Sequence, residues 1–161
     1  GSKCARYSAF RYPALIADGV APSVRGCYFL SMTVGAFSII LNRENKVLLC
    51  KRRDRDLWNL PGGRVESNES PWDAAIREAR EEINVSLAIE KLIGVYFKQE
   101  QGEIVFQFLA RIEQGTPSES EESKETAYFD VNSLPENTAP KQRERINLFF
   151  KDPNIIRTLI Q

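Results

Sequence analysis

The chain has 161 residues with 22 basic and 22 acidic side chains, 42% hydrophobic residues and no histidine. That length suits one domain with a proper core. The zero formal charge argues against a dedicated nucleic-acid binder relying on bulk attraction to phosphates. Without histidine, imidazole triads, histidine metal ligands and phosphohistidine relays are excluded, so base catalysis must fall to carboxylates or metal-bound hydroxide.

Gly1-Ser2 reads as a cloning remnant, and residues 1–25 as an N-terminal extension ahead of one domain over 26–161. There is no apolar run of about eighteen residues and no secretory signal, so the expectation is a cytoplasmic protein with no membrane partner. Cys4, Cys27 and Cys50 have neither zinc spacing nor the pattern of a disulfide framework, and Cys50 reads as a small core hydrophobe. Residues 27–41 are rich in aromatic and β-branched side chains and predict a strand. After a turn at 42–45, residues 46–52 predict a second strand, making a hairpin. Arg52, Arg53 and Arg55 follow, candidates to hold phosphates.

Trp58-Asn59-Leu60-Pro61-Gly62-Gly63 then forms a turn that lets backbone approach a ligand closely, and a free glycine carbonyl can ligate a cation. Ser70-Pro71-Trp72-Asp73 starts a helix with an N-cap, a proline at the first helical position and an acidic residue three after the cap. Trp72, Ile76, Ala79 and Ile83 recur as an apolar stripe, from which Glu78, Glu81 and Glu82 are expected to project away toward a cleft. Asn84 ends the helix, since asparagine tolerates the left-handed conformation. Gathered carboxylates repel one another, a cation relieves that cost, and hard oxygen ligands suit Mg²⁺, Mn²⁺ or Ca²⁺.

Residues 86–98 and 103–112 predict two more strands, 113–124 a mobile polar loop, and 126–131 a short strand closed by Leu134-Pro135. Residues 141–150 and 153–160 predict helices, the second capped by Asp152 with Pro153 at its start. Strands on both sides of the acidic helix imply an α/β fold with a mixed sheet between helices. Tyr28, Phe29, Phe37, Tyr96, Phe97 and Phe106 are candidate surfaces for a nucleobase.

Gly63, five residues, Glu69, seven residues, then Arg77-Glu78-Ala79-Arg80-Glu81-Glu82 resembles the Nudix box, G-x5-E-x7-R-E-U-x-E-E-x-G-U. Ala79 stands where a bulky aliphatic residue is usual, and Asn84 replaces the final glycine. The resemblance implies an α/β/α sandwich and Mg²⁺-dependent cleavage (Mn²⁺ possible) of a nucleoside diphosphate linked to a group X. It implies Glu78 and Glu82 as metal ligands, with Glu81 a further ligand or the group that orients or deprotonates water. Arg77 would hold a catalytic glutamate, Glu69 would brace the loop or assist on the substrate side, and the Gly63 carbonyl would complete the metal sphere. Glu125 is taken as an extra carboxylate, with Glu100, Glu103 and Glu122 as alternatives. Markers associated with ADP-ribose and dinucleoside polyphosphates are missing around residues 100–103, and a compact chain favours nucleoside triphosphates, including oxidised ones. A nucleotide sensor without turnover is the alternative. The expected partner is a nucleotide-derived small molecule, with a homodimer left open.

Overall fold

The computed structural model describes residues 32–161; the readings for the N-terminal extension, Cys4, Cys27, Tyr28 and Phe29 lie outside the described residues. The strands are β1 (Thr33–Ile40), β2 (Val47–Arg52), β3 (Trp58–Asn59), β4 (Gly62–Arg64), β5 (Ser86–Lys98), β6 (Glu103–Gln114), β7 (Ser123–Phe129) and β8 (Arg157–Ile160). The helices are α1 (Pro71–Ile83) and α2 (Pro140–Lys151). No helix among the described residues is long and apolar enough to cross a membrane.

Five strands form a mixed sheet in the order β4-β1-β6-β5-β8, in which β1 runs parallel to β6 and β5 parallel to β8. The other three, β3-β2-β7, form an antiparallel sheet. Both faces of the central strands are covered, as their near-continuous apolar sequences require. On one face Ile40, Leu48 and Cys50 pack against Ala79 and Ile83 of α1. On the other, Phe37, Ile39, Val47 and Leu49 pack with Ile146 and Phe149 of α2. The result is the expected α/β/α sandwich.

Four expectations are corrected. β1 and β2 are not a hairpin: one bridge joins Leu41 to Val47, after which the strands part into different sheets. The side chain of Asn42 accepts from the N–H groups of Glu44 and Lys46, making a local turn that leaves each strand free for other partners. Residues 153–160 are not a helix. Asp152 ends α2, its side chain caps a turn by accepting from Asn154, and Arg157–Ile160 pairs in parallel with Gly94–Phe97. The Asp-Pro-Asn sequence makes the same local bond in a turn as in a helix cap, and β-branched residues then favour the strand.

The expected loop at 113–124 shrinks, because β6 runs to Gln114 and β7 starts at Ser123. Finally, the buried face of α1 comprises Ala74, Ala75, Glu78, Ala79, Glu82 and Ile83, while Trp72 is 55% exposed. Small alanines let α1 lie close to the sheet, so two of the glutamates are drawn inward with the apolar stripe instead of away from it.

Candidate active site

α1 is fixed at both ends by the residues that specify them. The Ser70 hydroxyl oxygen accepts from the Asp73 N–H at 3.2 Å, and Asn84 adopts φ 56°, ψ 35° to turn the chain out of the helix. This holds Glu78 and Glu82, one turn apart, above the Pro-Gly-Gly turn. At Gly62, φ is +138°, and a Cβ there would lie 2.2 Å from the Ala36 carbonyl oxygen. At Gly63 a Cβ would lie 2.6 Å from Oε1 of Glu78. Gly62 thus lets the turn lie against β1, and Gly63 leaves the space that the Glu78 carboxylate enters. The Gly62 N–H donates to Oε2 of Glu82 at 2.8 Å, and the buried Cys50 thiol lies 3.8 Å from the same oxygen.

Arg77 ties the acidic residues together. Its Nε and Nη2 donate to the two oxygens of Glu69 at 3.1 and 2.8 Å, and Nη2 also reaches the Arg64 carbonyl at 2.9 Å. Its Nη1 donates to Glu78 at 3.0 Å and to Glu81 at 2.8 Å. The fork geometry of a guanidinium suits this many oxygen partners, and they raise its pKa further. Glu69, which also accepts from the Glu66 N–H at 2.7 Å, is occupied as a brace between loop and helix.

The third member of the cluster is Glu122, just before β7. Carboxylate oxygens of Glu78, Glu82 and Glu122 all lie within 4.8 Å of one another. Glu125 does not join them: it is exposed on β7, paired in the ladder with Lys51, because alternation along the strand turns it away. Glu100 is exposed on a 3-10 turn, and Glu103 is paired with Lys98. Glu81 lies on the outer side of α1 with Arg77.

Burial pushes the Glu82 carboxyl up to about 8, with the Glu78 and Glu122 charges adding to the rise and the Gly62 N–H opposing it. Burial also raises Glu78, and the Arg77 guanidinium offsets part of that effect. Two buried acids and an exposed third, all oxygen donors, suit a hard divalent cation by charge and by ligand type.

The arginines divide. Arg52, at the end of β2, grips Asp54 through two bonds of 2.7 and 3.0 Å, and its charge lowers Glu82. Arg53 holds the 115–122 segment, donating to the Ser120 carbonyl at 2.7 Å, and Arg55 is exposed and paired with Asp54. An open groove of about 860 Å³ runs beside the cluster, lined by Arg53, Arg80, Glu81, Asn84 and residues 119–122. Among the aromatic candidates, Phe37 and Tyr96 are buried in the core, while Phe97 and Phe106 are half-buried on the large sheet. Ser120 was not anticipated from sequence. Its hydroxyl donates to the Glu82 carbonyl at 2.8 Å, and a serine in a Ser/Glu-rich loop carries no local sign of that role.

The model of the NUDIX domain matches residues 32–149. A Bacillus subtilis protein provisionally named 8-oxo-dGTP diphosphatase is 36% identical over 118 residues, covering 73% of this chain and 79% of the relative. The ADP-ribose pyrophosphatase of Methanocaldococcus jannaschii is 28% identical over 137 residues, covering 81% of this chain and 69% of the relative. A NUDIX hydrolase structure from Nitrosomonas europaea superposes with a TM-score of 0.73 at 24% identity, covering 88% of this chain and 86% of that one.

Proposed function

This chain belongs to the Nudix family, hydrolases of nucleoside diphosphate derivatives, and from that premise we propose that it cleaves a phosphate anhydride in a nucleoside triphosphate-like substrate with Mg²⁺. The observation that carries this reading is the convergence of Glu78, Glu82 and Glu122, from a helix and a distant loop, to within 4.8 Å. Glu78, Glu82 and Glu122 would hold the cation, and the Gly63 carbonyl, in the turn beside Glu78, would be the backbone ligand that the family resemblance implies. A bound divalent ion neutralises phosphate charge and lowers the pKa of bound water.

The protein's own groups do the rest. Arg77 fixes Glu78 and Glu81 in place through its Nη1. Glu81, exposed and paired with Arg77, would be the group that orients the attacking water and accepts its proton. Arg52, beside the cluster, supplies positive charge for the outer phosphates, whereas Arg53 and Glu69 act by holding the loops on either side. The Bacillus subtilis relative favours a triphosphate, including an oxidised purine form. The Methanocaldococcus jannaschii relative keeps a nucleoside diphosphate sugar as the second substrate class.

Phosphate release from a panel of nucleoside triphosphates, oxidised triphosphates, nucleotide sugars and dinucleoside polyphosphates, each with Mg²⁺ and with Mn²⁺, tests this reading. Preferred turnover of a triphosphate supports it. Preferred turnover of ADP-ribose replaces it with the second class, and tight binding with no turnover makes the protein a sensor.

A further inference from the structure

α1 ends on Asn84, at the position where the Nudix pattern has a glycine. A glycine would supply the left-handed backbone; asparagine adds an amide. That amide nitrogen donates to Ser118 Oγ at 3.1 Å and to the Glu119 carbonyl at 2.7 Å, far along the chain. The same segment returns the contact. The Ser118 N–H donates to the Ile83 carbonyl at 3.2 Å and the Ser120 hydroxyl to the Glu82 carbonyl at 2.8 Å, satisfying carbonyls that the last turn of a helix leaves open. Glu122 ends this segment and is exposed, so its place beside Glu78 and Glu82 is set by the backbone that carries it.

We propose that Asn84 is a positioning residue for Glu122: its amide ties the 115–122 segment to the end of α1 and so sets the third carboxylate against the other two. This rests on reading the three acids as a cation site. Asn84→Gly isolates the tie, because glycine adopts the left-handed conformation at least as readily and keeps the helix end, while both side-chain bonds vanish.

The experiment measures Mn²⁺ binding, through the electron paramagnetic resonance signal of the free ion, for the unaltered protein, Asn84→Gly, Glu122→Gln and the double variant, with thermal midpoints for all four. The expected result is roughly tenfold weaker Mn²⁺ binding in Asn84→Gly with little change in midpoint. In the Glu122→Gln background the Asn84 substitution has no further effect, the signature of one residue acting through another. In the metal-free protein, the Ser118 amide exchanges its hydrogen faster in Asn84→Gly.

Unchanged Mn²⁺ affinity, an equal loss in both backgrounds, or unchanged exchange at Ser118 overturns the proposal. A midpoint that collapses would show that the amide holds the helix and not the carboxylate, and would overturn it as well. If the unaltered protein takes up no Mn²⁺, the cation reading itself fails and this assignment fails with it.

Discussion

The Gly62 N–H donates to Oε2 of Glu82 at 2.8 Å, joining residues 20 apart in sequence and occupying one of the two carboxylate oxygens. A carboxylate oxygen of the same residue lies within 4.8 Å of those of Glu78 and Glu122. A backbone donor cannot rotate away, so Glu82 is oriented before any ligand arrives, a form of preorganisation that lowers the cost of binding.

Glu82→Gln therefore keeps an acceptor for Gly62 and removes the charge. We expect kcat to fall by on the order of a hundredfold or more while circular dichroism stays unchanged. A variant with full activity would show that the carboxylate does no chemistry here.

The raised carboxyl of Glu82 sets a pH dependence for the metal-free protein. Its ordinary value is 4.5 and its folded value about 8, so between these the folded state holds more protons than the unfolded one. Stability is fully present below the lower value and falls as pH rises toward about 8, with Glu78 adding in the same direction. Thermal midpoints in chelator at pH 5, 7 and 9 should decline in that order, and Glu82→Gln should flatten the decline. A midpoint that rises across this range would contradict the assignment.

Gly63→Ala would place a Cβ 2.6 Å from Oε1 of Glu78 and push that carboxylate out of the cluster. We expect Mn²⁺ affinity to drop by roughly tenfold or more, with a smaller loss of stability. Isothermal titration with Mn²⁺ measures it, and wild-type affinity would show that Glu78 is not needed.

Arg77→Lys keeps the charge but replaces a planar fork that serves Glu69, Glu78, Glu81 and the Arg64 carbonyl. The expected result is a loss of about 1–3 kcal/mol in denaturant unfolding, since partly buried carboxylates lose partners, together with lower kcat. An unchanged midpoint and rate would mean that the network is dispensable.

The parts of the fold legible in the sequence are those whose cause is local. Ser70-Pro71 and Asn84 bracket α1 because caps act within a few residues, and the spacing of its glutamates follows from helical geometry. Glu122 could not be separated from Glu125 in the same way. The choice depends on where a loop meets the end of a helix and on which strand position begins β7. The inward turn of Glu78 and Glu82 was hidden for a related reason. Residue type points glutamate to solvent, and only the close approach allowed by Ala74, Ala75 and Ala79 and by the glycine turn reverses that expectation. The strand at 157–160 likewise exists because the edge of β5 was there to receive it.

The acids of the cluster are also spread along the order in which the chain is made. Glu78 and Glu82 lie on α1, whereas Glu122 comes some forty residues later in the chain, immediately before β7, the strand that covers one edge of β2. The stretch that brings the third acid to the other two is therefore the one that leads directly into the last strand of the smaller sheet, so a single late segment closes both.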